Sequence, residues 1–262
     1  MRHNHTYLLV VFLTAIANPP SLAIGASPAV INAENRIFTP TASFTTSVGA
    51  SIAPTRSHPN GHSYGEWAAK WWQWALETPA SISPILDMTG AHCAEGQEDR
   101  VWFLAEPVGG DPNGVPVVEN RKCTVPADTA LFFPLISSYY GAFLSDPPEQ
   151  RTEQFVRSIV ACGNVSIDAS IDGIAISNDP NRYFSKTALF DVQLPEDNIF
   201  GVDTSIIPEL LLSPSVAQGY FVFLRPLRPG VHTIHWTASQ NCPFGDFAQE
   251  VTYSLTVQKP RR

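Results

Sequence analysis

The hydrophobic pattern changes period three times along the chain. From Ser63 to Leu76, in "SYGEWAAKWWQWALETP", apolar residues recur at helical spacing. At about 100° per residue, Tyr64, Trp67, Trp71, Trp74 and Ala75 share one face, and Ala68, Trp72 and Leu76 widen it. Only Glu66, Lys70, Gln73 and Glu77 form a polar stripe. Ser63 with Glu66 makes a capping box, Thr78-Pro79 ends the helix, and Glu66 and Lys70 stand in the favourable order for an i,i+4 pair. An apolar arc of that width predicts a helix buried against other elements. The segment holds four of the six tryptophans of the 262-residue chain, and we read it as interior packing, with a sugar-stacking platform as the alternative.

Beyond the helix the period falls to two. "RVWFLAEPV" and "TALFFPLI" are short aromatic-rich runs that predict buried strands. A second helix is expected over residues 147–161, with Asp146 as cap and Phe155, Val156, Ile159 and Val160 on its apolar side. "VSIDASIDGIAI" alternates until an Asp172-Gly173 turn, and "KTALFDVQLP" is a further strand. "GYFVFLRPL" and "VHTIHWTA" flank "RPG" and read as a hairpin. In "VTYSLTV", Val251, Tyr253, Leu255 and Val257 face one way, against Thr252, Ser254 and Thr256, which predicts a half-buried antiparallel strand. The expected fold is therefore mainly β: an antiparallel β-sandwich or jelly-roll-like domain with one or two packed α-helices.

The first 23 residues read as a secretory signal: Arg2, then the apolar run 7–17, then a small-residue exit at Ser21-Leu22-Ala23. The apolar run is too short for a membrane span, so no transmembrane segment is expected once the signal is removed. Residues 24–62, rich in Ser, Thr, Ala and Pro, predict a flexible or extended segment. Residues 63–262 then form a single β-rich domain, with a sub-boundary near 164 as the alternative. The expected location is outside the cytoplasm, secreted or periplasmic.

Composition narrows the partners. The formal net charge is −8 and charged residues are 15% of the chain; an acidic chain lacks the basic face that phosphate binding needs, so no nucleic-acid partner is expected. The four cysteines, Cys93, Cys123, Cys162 and Cys242, are an even set in an exported chain and predict two disulfides, for which three pairings exist. Of these we prefer Cys93–Cys123 with Cys162–Cys242. No CxxC, HExxH, Walker loop, dinucleotide fingerprint or Gly-x-Ser-x-Gly elbow occurs, so neither metal nor cofactor is expected.

Four stretches taken jointly, "YGEWAAKWWQWALETP", "DMTGAHCAEGQEDRVWFLAE", "RKCTVPADTALFFPLI" and "LRPLRPGVHTIHW", resemble a group of uncharacterised exported microbial proteins. In these a Trp-rich helix precedes a cysteine-containing β domain. The resemblance spans roughly 63–257. It implies export and a Cys93–Cys123 pairing, and implies no chemistry.

The candidate chemistry lies around the helix. Glu66, Asp87 and His92 are the acid–base candidates, and Lys70, Gln73, Trp72 and Arg121 the candidates for ligand contact, since a carboxylate and an ammonium in a Trp-walled cleft would have shifted pKa values. Asp87-Met88-Thr89-Gly90 lacks the contiguous Asp-Thr-Gly of aspartic proteases and reads as a turn. The expectation is an exported, disulfide-stabilised β-sandwich that binds a small molecule or glycan or serves as a surface-associated module. The alternative is an extracytoplasmic hydrolase or lyase working beside the Trp helix.

Overall fold

A computed structural model describes residues 51–97, 100–108, 115–177, 179–205 and 207–259. The expected signal, and the expected tether as far as residue 50, lie outside the described residues.

The Trp segment forms α1 (Tyr64–Glu77) with the capping box in place: Ser63 accepts from the Glu66 N–H, and Glu66 accepts from the Ser63 N–H. Strands β1 (Val101–Phe103), β2 (Val117–Val125) and β3 (Ala130–Phe143) follow, then α2 (Glu153–Ile159). The rest is β: β4 (Gly163–Ile171), β5 (Ile174–Ala175), β6 (Phe184–Lys186), β7 (Phe190–Gln193), β8 (Leu211–Leu224), β9 (Gly230–Cys242) and β10 (Gly245–Val257). Among the described residues they build two five-stranded sheets. The first runs β1-β3-β8-β6, with β7 also on β8; the second runs β2-β10-β9-β4-β5. Most neighbours are antiparallel, but β1/β3 and β2/β10 are parallel.

The layers are α1, first sheet, second sheet. Alternation along β3 shows why. Phe132 packs with the tryptophans of α1, whereas Leu131 and Phe133 pack with Trp236, Tyr253 and Leu255 of the second sheet. A sheet covered on both faces needs apolar residues at every position, so β3 and β8 read as continuous hydrophobic runs. The second sheet is covered on one face, and β10 alternates as expected: Val251, Tyr253, Leu255 and Val257 are buried. Burial of about 200 Å² per indole at about 25 cal/mol/Å² gives on the order of 5 kcal/mol of transfer free energy for each tryptophan, before the cost of ordering the chain.

Two expectations are corrected. The second helix is shorter than 147–161. Residues Pro148–Arg151 form a 3-10 turn, and α2 begins after Thr152, whose side chain caps the Phe155 N–H. Asp146 instead accepts from the Phe143 N–H. The apolar side, Phe155, Val156, Ile159 and Val160, is as expected. The hairpin across "RPG" does not form, because β8 and β9 lie in different sheets. The connecting residues cross from one layer to the other. Pro226 and Pro229 offer no N–H for a ladder, and the N–H of Arg225 donates to Ser51 O at 2.8 Å.

Residues 51–57 extend that edge. Ile52 bridges to Leu224, Ala53 N–H donates to Phe223 O at 2.9 Å, and Tyr64 Oη donates to Ala53 O at 2.5 Å. Among the described residues no helix is long and apolar enough to cross a membrane.

Candidate functional site

A β-bulge builds the site. Between Pro134 and Ile136 the β3–β8 register shifts by one residue. Because side chains alternate with period two, one extra residue reverses which face the following ones take. Before the bulge the even-numbered Phe132 faces α1; after it, the odd-numbered Tyr139 does, stacked on Trp72 with centroids 4.7 Å apart. The strand therefore opens a cavity where its far half leaves the sandwich core.

The cavity has a volume of about 140 Å³. It is bordered by Trp72 and Leu76 of α1, Ser137 and Tyr139 of β3, Ile199 and Phe200 of the loop before β8, and Phe244, Phe247 and Gln249 from the β9–β10 hairpin. The Cys162–Cys242 disulfide stands at its rim. Both disulfides follow the preferred pairing, Cys93–Cys123 and Cys162–Cys242.

Glu106, in the segment after β1, reaches the same cavity and is 4% exposed. Its carboxylate accepts from Ser137 Oγ and, at 3.4 Å, from Gln249 Nε2. Burial pushes its pKa up to about 8, against the pull of these donors and of Arg121. The Trp72 indole N–H is buried and has no hydrogen-bond partner among the described residues.

A second buried polar group supports the first. Arg121 of β2 is 2% exposed. Its Nη1 donates to Ala105 O at 2.7 Å and to Tyr253 Oη at 3.0 Å. Its Nη2 lies 2.5 Å from the Glu119 carboxylate, a charge contact without hydrogen-bond alignment. Burial raises Glu119 to about 7, with Arg121 opposing. The guanidinium lies 5.7 Å from the Tyr253 ring centroid, Tyr253 stacks on Trp236, and Trp236 on Phe133. Arg121 thus fixes the backbone at Ala105, one residue before Glu106.

The structure scatters the remaining sequence candidates. Glu66 is exposed on α1, and the main-chain and hydroxyl donors of Ser63 hold its pKa low. It turns back to cap the helix, and the expected Glu66–Lys70 pair is absent from the ion pairs of the described residues, Glu119–Arg121, Glu153–Arg157 and Asp172–His232. Lys70 is exposed, and Gln73 donates to Asp191 O of β7 at 2.9 Å. Asp87 folds its own loop, accepting from the Thr89 N–H, the Thr89 hydroxyl and the N–H of His92. Partial burial opposes its ionisation, but those donors outweigh it and keep its pKa low. His92 stays in that loop, half-buried, beside the Cys93–Cys123 bridge. Of the seven acid–base and contact candidates, Trp72 alone borders the cavity, with Arg121 behind its wall.

Glu106, Ser137, Tyr139 and Gln249 were not singled out by sequence. A signal existed for Glu106, the lone charge within the apolar stretch "VWFLAEPV". Nothing marked the others, which depend on the bulge and on the packing of one sheet against the other.

These features define a mainly-β, two-disulfide sandwich with a Trp-rich helix as its third layer. No protein-family model and no curated protein matches the chain. Among solved structures, one likeness is to that described as "Structure of PbICP-C in complex with falcipain-2", at 11% identity over 61% of this chain and 100% of that chain, with a TM-score of 0.22. At that TM-score the likeness carries no inference.

Proposed function

We propose that the protein is an exported binding module, and that the cavity between α1, the β3 bulge and the β9–β10 hairpin is its ligand site. One observation carries this reading. A cavity of about 140 Å³ walled by aromatic rings also contains the buried carboxyl group of Glu106 with the polar side chains of Ser137 and Gln249. Cores close around apolar groups and satisfy their polar ones; an aromatic hollow that retains polar groups matches the chemistry of small-molecule sites. A cavity of about 150 Å³ takes a benzene-sized group, so the ligand is a small amphipathic molecule of about one ring. A glycan would place a single residue there. The two disulfides fit an oxidising compartment, which supports export.

The test is a thermal-shift and tryptophan-fluorescence screen of the mature protein against monocyclic amphiphiles and monosaccharides. The expected result is a shift with at least one class that disappears in Ile199→Trp, which enlarges a side chain of the cavity wall. Native-like near-ultraviolet circular dichroism shows that the variant is folded. No shift with either class, or a shift that survives the substitution, overturns the proposal.

A further inference from the structure

The hydrogen-bond shell of Glu106 specifies the charge of the occupant; this deepens the binding reading above and rests on it. Three donors converge on the carboxylate: Ser137 Oγ, the Ser137 main chain and Gln249 Nε2. Donors stabilise the anion of an acid rather than its neutral form. Yet the cation nearest in electrostatic effect, Arg121, is already committed to Ala105 O, Tyr253 Oη and Glu119. The site therefore has the shell of an anion and, among the described residues, no counter-ion in contact. Trp72, Tyr139, Phe244 and Phe247 line the same cavity, and aromatic rings attract cations. The chain as a whole carries a net charge of −8, which draws cations inward and repels anions.

We propose that the cavity binds a small organic amine, its ammonium seated against Glu106 and its ring-sized apolar body held between the Trp72–Tyr139 stack and the phenylalanines of the β9–β10 hairpin. A neutral ring of the same shape gains the apolar contacts but no ion pair with Glu106. A carboxylate ligand gains no ion pair either, and where Glu106 is ionised it meets a second negative charge.

The proposal has a protonic signature. Burial holds Glu106 protonated up to about pH 8 in the free protein, and the ammonium binds the ionised form. Binding below that pH therefore releases a proton, and affinity falls by about tenfold per pH unit as the solution is acidified. The other charged or titratable groups on the bordering elements are Tyr64, Glu66, Lys70 and Glu77 of α1, Glu119, Arg121 and Lys122 of β2, Tyr139 and Tyr140 of β3, Glu153 and Arg157 of α2, Glu196, Asp197, Asp203 and Glu209 of the loop before β8, His232 and His235 of β9, and Asp246, Glu250 and Tyr253 of β10. Glu119 is raised to about 7 and is the carboxyl in contact with Arg121, so Glu119→Gln is the control.

The experiment is isothermal titration of the mature protein with phenethylamine, 2-phenylethanol and 3-phenylpropionate at about pH 6, 7 and 8, in two buffers of different ionisation heat. A charge-assisted contact predicts an amine preference of about ten- to a hundredfold over the alcohol. It also predicts proton release at acidic pH, kept in Glu119→Gln. In Glu106→Gln, amine and alcohol bind alike and proton release is lost, while near-ultraviolet circular dichroism stays native. Equal binding of alcohol and amine by the unmodified protein, or an amine preference that survives Glu106→Gln, overturns the amine assignment and leaves the cavity as a neutral-ligand site. If none of these probes binds, and no monosaccharide does, the binding reading falls as well.

Discussion

Trp71 donates its indole N–H to the main-chain carbonyl of Leu104 at 2.9 Å, and both residues are buried. This bond joins the middle of α1 to the chain just after β1, two residues before Glu106. The helix therefore does more than cover the first sheet; it fixes the segment that carries the cavity carboxylate.

Replacing that indole separates packing from hydrogen bonding. Trp71→Phe leaves a cavity and orphans a buried carbonyl, and should cost about 2–5 kcal/mol. Trp74, which donates to Glu95 O at 2.9 Å in a part-buried setting, should cost less as Trp74→Phe. Urea unfolding followed by circular dichroism measures both; equal losses would contradict the central placement of Trp71.

Gly65 has an outcome opposite to the usual one. Gly→Ala in a helix normally gains up to about 1 kcal/mol. Here a Cβ at Gly65 would clash with the main-chain carbonyl oxygen of Lys186 in β6, an atom that can move only with its strand. Gly65→Ala should destabilise by about 1–3 kcal/mol. A rise in melting temperature would show that α1 does not approach β6 so closely.

The two disulfides should differ in worth. Cys93–Cys123 spans 30 residues and Cys162–Cys242 spans 80. The chain-entropy model gives about 3.5 and about 4.5 kcal/mol respectively. Paired Cys→Ala variants, compared by denaturant unfolding, should rank in that order. The Cys162–Cys242 variant should also perturb ligand binding, since that bridge borders the cavity.

Glu106 makes stability fall as pH rises. Its pKa is about 8 in the folded protein against a usual 4.5, so the folded state binds the proton more tightly than the unfolded one. The resulting stability is complete below the unfolded value and is lost as pH rises through the folded one. Glu119, raised to about 7, adds a smaller loss in the same direction. Each tenfold difference in proton affinity between the two states is worth about 1.4 kcal/mol, so the unfolding free energy should drop by a few kcal/mol between about pH 5 and pH 8. Glu106→Gln should flatten most of that slope. A slope unchanged by the substitution would mean that the carboxyl is not confined as the structure places it.

Local order was written in the sequence. Ser63 and Glu66 cap α1, the spacing of Trp67, Trp71 and Trp74 makes its buried face, and Val251 to Val257 alternate as a one-faced strand, because each depends on residues within a turn or two of one another. Asp172-Gly173 likewise announces its turn, with both residues at positive φ. Tertiary structure decided what depends on partners distant in the chain. Pairing put β8 and β9 in different sheets although the sequence between them resembles a hairpin, since the N–H of Arg225 found Ser51 rather than a facing strand. The bulge in β3 turned Tyr139 toward Trp72. The packing of β10 against the segment after β1 placed Gln249 beside Glu106. A period of two tells which residues share a face, but neither which layer that face meets nor where one added residue reverses it, and the cavity arises from that reversal.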